Sequence, residues 1–242
     1  MHQKIFFGKT DIGLKRKNNE DVFVVSPEQD YCLAADGMGG AAAGEVASKI
    51  FADTAHDVFS GNTGRSEKEV LYRIQKTFGA ANEKILSHAS ENSSHKGMGC
   101  TAEILAFSDK GFIVGHIGDS RTYRLRNGHL EQLTQDHTIV QQQFEEGLIP
   151  PDQLRDHPLR NVIFRAVGIK EDLALDLITG KIFAGDLFLL CSDGLTDMVS
   201  DAQILEILCS DNDIPPKAEE LIQAAKDAGG IDNITVVLVV IK

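Results

Sequence analysis

The chain has 242 residues, 42% of them hydrophobic, which is enough to bury a full core within one domain. Thirty-six acidic residues against 24 basic ones give a net charge of −12. That balance argues against non-specific binding to nucleic acid or to an anionic membrane surface, both of which need clustered Lys and Arg. The four cysteines, Cys32, Cys100, Cys191 and Cys209, form no C-x-x-C pair and suggest small buried hydrophobes rather than a disulfide framework. The longest apolar runs, such as 236–241, are too short to span a bilayer, and the N-terminus has no signal-like apolar segment, so a soluble, cytoplasmic protein is expected.

Residues 4–13 alternate loosely as a first strand, followed by the charged loop 14–21 and a second strand over 22–26. The apolar run 31–35 predicts a buried strand that ends abruptly at Asp36, among Gly37, Gly39 and Gly40. Apolar positions 46, 47, 50, 51 and 55 predict a helix from 44 to about 59, and Ser66 with Glu69 makes a capping box for a second helix over about 67–89. The runs 101–107, 112–117, 121–125 and 129–133 read as successive strands of an antiparallel meander, with turns at 108–111 and at the Asn127-Gly128 pair. Gly118-Asp119-Ser120 interrupts two of them. Residues 137–166 change character, with helical stretches around 138–146 and 151–156, and read as an inserted flap. Strands over 173–178 and 187–191, helices over about 201–208 and 217–228 with a turn at 211–216 between them, and a strand over 234–241 complete the chain. Two helices early and two late suggest an α/β sandwich, a sheet layer covered by helices on its faces, rather than a parallel doubly wound fold.

Three aspartates stand at strand ends beside glycines: Asp36, Asp193 after the run 187–191, and Asp232 before the strand 234–241. Any one Asp-Gly pair is as well explained by a turn. Three of them on neighbouring strands would converge on one sheet edge, where their repulsion is costly unless cations neutralise it. Asp119 is a fourth candidate. Oxygen donors of this kind suit Mg²⁺ or Mn²⁺, not Zn²⁺ held by His and Cys, and the eight histidines form no metal-binding pattern. No G-x-x-x-x-G-K-[ST] loop is present. Two hard cations about 3.5–4 Å apart would lower the pKa of bound water and clamp the oxygens of a phosphoryl transfer, which makes hydrolysis of phosphate esters the expected chemistry. Such a site needs a cationic side chain to hold the phosphate. Arg16, in the loop beside Glu20 and Asp21, is the best placed, although alone it would read as a surface residue.

Arg16-x-x-Asn19-Glu20-Asp21, Asp36-Gly37-Met38-Gly39-Gly40, Gly99-Cys100-Thr101, Gly118-Asp119-Ser120-Arg121, Leu133-Thr134-x-Asp136-His137, Arg165-Ala166-Val167-Gly168, Ser192-Asp193-Gly194 and Asp232-Asn233 together resemble the ordered motif series of the metal-dependent, type 2C serine/threonine protein phosphatases, in their bacterial form. The series spans nearly the whole chain. The resemblance implies two packed antiparallel β-sheets flanked by α-helices on both faces, in one catalytic domain over 1–242, with a flap at about 138–165 where substrate proteins touch. It implies that Asp36 bridges two Mn²⁺ or Mg²⁺ ions, that Gly37 offers a carbonyl to the first, and that Asp193 and Asp232 bind the second. Glu20 and Asp21 would act through bound waters, Arg16 would bind phosphate, and Asp119 with Asp193 would hold a third, weaker ion. Met38 stands where eukaryotic relatives carry a histidine proposed as general acid, with His137 a remote substitute.

The resulting expectation is an enzyme that hydrolyses phosphoserine and phosphothreonine on proteins and opposes a cognate Ser/Thr kinase. A non-catalytic phosphoprotein-binding regulator and a phosphatase dedicated to an anti-anti-sigma partner switch are the alternatives. The intact ligand set argues against the first, and the lack of a fused sensor or membrane segment against the second. No large apolar stripe is left over, so a monomer is expected.

Overall fold

The structure is a computed structural model and describes residues 2–39, 43–61, 64–154 and 157–242. Gly40 of the glycine turn, residues 62–63 of the expected helix break and residues 155–156 at the end of the second expected flap helix lie outside them.

Two sheets carry the chain. One is ordered β1 (Lys4–Asp11), β11 (Ile234–Ile241), β10 (Leu187–Cys191), β7 (Arg121–Arg126) and β8 (His129–Gln132). The other is ordered β2 (Asp21–Ser26), β3 (Tyr31–Met38), β5 (Ala102–Phe107), β6 (Phe112–Ile117) and β9 (Asp176–Gly180), with the two-residue β4 (Gly99–Cys100) pairing the end of β3. Every named pair is antiparallel.

Side-chain alternation sorts the apolar residues into three layers. Leu33 and Ile104 of the second sheet point outward onto Phe51 of α1 (Ala43–Ser60) and Ile74 and Phe78 of α2 (Glu67–Glu91). Their neighbours Cys32, Ala34 and Leu105 point inward, against Phe188, Leu190, Val237 and Val239 of the first sheet. Phe188 meets Phe107 and Phe112 edge-on there, at centroid distances of 6.0 and 5.0 Å. Leu189, Val236 and Leu238 face the other way, onto Ile204 of α5 (Asp201–Leu208) and Leu221 and Ala225 of α6 (Ile214–Asp227). The strands of β10 and β11 are apolar on both faces because both faces are covered.

Several expectations need correction. The strands β5 to β8 are not one meander: β5 and β6 belong to one sheet and β7 and β8 to the other, so the turn 118–120 crosses between them. Gly118 makes the crossing with φ +117, and a Cβ there would stand 2.5 Å from Thr101 Cβ. The strand expected at 173–178 begins at Asp176, because Leu173 and Leu175 pack on the core without strand pairing. α6 begins at Ile214, earlier than expected, since Pro215 and Pro216 occupy its first turn, where no backbone N–H is required. The Ser66–Glu69 capping box is present, and a second one, Ser200 with Gln203, starts α5. A short helix, α4 (Asp193–Thr196), follows β10 directly. In the expected flap, α3 (Ile139–Glu145) and a 3-10 turn at Pro151–Gln153 are present. Cys32, Cys100 and Cys191 are buried free thiols, and Cys209 is exposed.

Candidate metal centre

Five carboxylate-bearing strand ends meet at one edge of the sandwich. Asp36 and Asp21 are register partners across β3 and β2. Asp193 leaves the end of β10 as Asp232 enters β11 beside it, and Asp119 follows β6. The two sheets are stitched at this edge: Ser192 donates its hydroxyl to Asp21 Oδ2 at 2.7 Å and accepts the Thr235 N–H at 3.0 Å. Thr101 does the same for the second sheet, accepting the Asp36 N–H at 3.1 Å and lying 2.7 Å from the Ser120 hydroxyl. Asn233 pins the loop that carries Arg16, accepting the Glu20 N–H at 2.8 Å and donating to the carbonyls of Ile12 and Asn18, each at 3.0 Å. At Gly37 the backbone runs against the start of α1, and a Cβ there would lie 2.1 Å from the Gly44 carbonyl oxygen, so only glycine fits.

A cavity of about 520 Å³ opens at this edge. Arg16, Glu20, Asp36, Gly37, Asp119, Asp193 and Asp232 all line it; Asp21 lies beneath, buried. Burial pushes Asp36 well above the usual carboxylate range, with Asp21, Asp193, Asp119 and Asp232 adding their repulsion. Burial likewise raises Asp193, helped by Asp119 and Asp197, and it lifts Asp21 to about 6 and Asp119 to about 7. Glu20 is raised by burial against the pull of Arg16. Burial works against the Arg16 charge, but Asp232, Asp36 and Glu20 outweigh it. The Arg16 guanidinium bonds Asp232 Oδ2 at 2.5 Å.

The donor set fits hard cations. Asp21 Oδ1 and Asp193 Oδ1 are buried without a hydrogen-bond partner among the described residues, and a buried carboxylate oxygen so placed is costly unless a cation meets it. Among the described lining residues no His or Cys is present, and the only sulfur is the Met38 thioether. No three His, Cys, Asp or Glu side chains among the described residues are already closed into a ligand cluster.

Some contributors carry no sequence signal. Asn161 and Ile163 reach the cavity from the 138–165 segment, and Asn161 and Arg160 bond Asp197 Oδ2 at 2.8 and 3.4 Å, tying that segment to α4. Thr101 and Asn233 sit inside quoted motifs, yet their bonds link strands far apart in sequence. His137 is buried away from the cavity and, with burial and the neighbouring His116 pushing its pKa down to about 4, is held neutral.

A family model described as protein phosphatase 2C matches residues 15–230. The serine/threonine phosphatase stp of Listeria innocua is 36% identical over 96% of this chain and 93% of its own length. The protein phosphatase PhpP of Streptococcus pneumoniae is 36% identical over 95% and 94%. Among solved structures, the serine/threonine phosphatase PstP of Mycobacterium tuberculosis superposes with a TM-score of 0.93 at 36% identity, covering 100% of both chains. The catalytic domain of a phosphatase PstP in complex with two manganese ions superposes at 0.90, with 35% identity over 100% of this chain and 99% of that one. The chain therefore belongs to the protein phosphatase 2C family, and its two antiparallel sheets flanked by helices are that family's fold.

Proposed function

We propose that this protein is a metal-dependent serine/threonine protein phosphatase of bacterial type, acting through two Mn²⁺ or Mg²⁺ ions. One observation carries the reading beyond kinship: four mutually repelling aspartates and one guanidinium line a single cavity, with a buried Asp193 oxygen left unpartnered. Asp36, the Gly37 carbonyl, Asp193 and Asp232 would hold the cations, with Glu20 and Asp21 acting through water and Asp119 with Asp193 holding a third, weaker ion. Bound there, hard cations supply an activated water at neutral pH and neutralise developing phosphoryl charge.

The chain's own residues do the rest. Arg16 stands at the cavity mouth, where its planar fork can take two phosphate oxygens in exchange for its present bond to Asp232. Ser192 and Thr101 hold the two sheet edges in register, fixing the spacing of the carboxylates they bond. Asn161 and Ile163 narrow the cavity on the side of the 138–165 segment, the flap of this reading. No histidine is among the described lining residues, and the Met38 thioether has no dissociable proton, so neither supplies the general acid here.

We take 1–242 as one catalytic domain, a monomer acting in the cytoplasm on phosphoproteins made by a cognate Ser/Thr kinase. No helix among the described residues is long and apolar enough to cross a membrane. The test is hydrolysis of a phosphothreonine peptide with Mn²⁺, with Mg²⁺ and with EDTA, by the native protein and by Asp193→Asn. Expected is metal-dependent turnover lost on the order of 10³-fold or more in a folded variant. Turnover that survives in Asp193→Asn overturns the site assignment. A folded native protein inactive with every metal points instead to a phosphoprotein-binding regulator.

A further inference from the structure

His137 is the joint between the Asp119 turn and the end of the 138–165 segment. Its main chain bonds both: the His137 N–H donates to the Gly118 carbonyl at 2.7 Å, and the His137 carbonyl accepts the Phe164 N–H at 2.9 Å. Its ring closes the first contact from the other side, since the Gly118 N–H donates to Nδ1 at 3.0 Å. Gly118 thus has both of its peptide groups bonded to one residue. Because Nδ1 accepts, the proton of the neutral ring sits on Nε2, where Asp176 Oδ2 lies 3.2 Å away to receive it. The Arg165 guanidinium, 3.1 Å from the same nitrogen, is held there by its own bond to Asp176 Oδ1 at 3.1 Å. The residue is 4% exposed, its ring sits tilted 4.5 Å from that of His116, and it is not among the described residues lining the cavity.

We propose that His137 is a positioning residue that holds Gly118 from both sides and so fixes where the next residue, Asp119, presents its carboxylate, locking that turn to the end of the 138–165 segment. The proposal rests on the reading of Asp119 as a cation ligand. Thr101 packs against one side of Gly118 and bonds Ser120, and on the other side the His137 clamp holds a glycine with φ +117, whose backbone has no side chain of its own to restrain it. A partner that orients a ligand without touching the ion typically changes affinity by about 10–100-fold when removed.

The variants separate the roles. In His137→Asn the side-chain oxygen can reach the place of Nδ1, and in His137→Gln the place of Nε2; His137→Leu offers no acceptor. Mn²⁺ binding is measured by calorimetry and by the electron paramagnetic resonance of free Mn²⁺, with turnover measured on a phosphothreonine peptide and on p-nitrophenyl phosphate. Asp119→Ala is the control. Expected is a weakest Mn²⁺ site loosened about tenfold or more in His137→Leu and His137→Gln. Turnover should fall alike on both substrates, the peptide KM should stay within about threefold, and His137→Asn should recover most of both readouts. If His137→Leu fails to fold, the Asn and Gln pair decides: equal behaviour overturns the proposal. So does native Mn²⁺ binding in His137→Leu, or a loss confined to the peptide, whose poorer leaving group would mark a proton donor. Native Mn²⁺ binding in Asp119→Ala removes the ligand reading and the proposal with it, whereas a defective Asp119→Ala beside a native His137→Leu removes only the proposal.

Discussion

Arg16 and Asp232 share a bond that an incoming phosphate has to displace. A lysine at position 16 would keep the charge but present a point rather than a fork, losing the two-oxygen grip. Arg16→Lys is therefore expected to lower kcat/KM on a phosphothreonine peptide by about 10–100-fold, mostly through KM, with metal binding unchanged. A steady-state comparison checks it, and a wild-type value would take Arg16 out of phosphate binding. At this scale the gathering of these carboxylates at one edge was legible, because three apolar strands with an Asp beside Gly at one end recur in one chain, although each alone reads as a turn. What could not be read were the partners. Ser192 bonds Asp21 from 171 residues away, and Thr101 bonds Asp36 from 65 residues away. The protonation of His137 depends on a peptide 19 residues upstream. A side chain that reads as a candidate acid becomes an acceptor once the fold sets a backbone N–H against it.

Helix boundaries follow local chemistry where the chemistry is local. Ser66 accepts the Glu69 N–H while the Glu69 carboxylate accepts the Ser66 N–H at 3.2 Å, and the sequence spacing alone implied both. Ser66→Ala should cost about 1 kcal/mol, read as a lowered denaturation midpoint with unchanged kcat, since α2 packs on the outer face of its sheet, away from the carboxylates. A drop in kcat without a drop in stability would contradict that separation. Elements set by tertiary context were misread. The prolines of α6 looked like breakers although the first helical turn tolerates them, and strand alternation cannot reveal that β6 and β7 lie in different sheets, since the hydrophobic period is the same in either. Leu173 and Leu175 alternate as a strand would and pack partly buried on the core, yet lie outside β9 and every other strand of the described residues.

Between the sheets the core is largely apolar, but Glu103 of β5 and His116 of β6 are fully buried there together. His116 Nδ1 meets Glu103 Oε1, Nε2 donates to the Gln135 carbonyl at 2.8 Å, and Thr122 donates to Glu103 Oε2 at 2.6 Å. Burial alone would push His116 down, but the Glu103 carboxylate outweighs it and lifts it to about 8. Burial raises Glu103 as well, so the pair keeps one proton and stays neutral together. A histidine raised from 6.5 stabilises fully below that value and loses its contribution as pH rises through about 8. His116 is therefore expected to contribute a fall of about 2 kcal/mol between pH 6 and pH 9, on top of that from the raised cavity aspartates, and His116→Gln should lessen the slope by that amount. Urea midpoints across that range test it, and an equally steep profile in the variant would assign the effect elsewhere.

The stitched edge has one more consequence. Asp36 and Asp119 ride on one sheet and Asp193 and Asp232 on the other, fixed against each other there by side-chain packing and by a few side-chain hydrogen bonds, Ser192 to Asp21, Asn233 to the Glu20 N–H and Thr122 to Glu103. The distances across the cavity are therefore a vernier for how the two sheets are stacked. A slip of a fraction of an ångström between layers, too small to disturb any strand ladder, spoils the alignment of the carboxylates. Substitutions at the Phe188 contact, buried between the sheets and remote from the chemistry, can thus detune the enzyme while leaving every hydrogen-bonded strand pair intact.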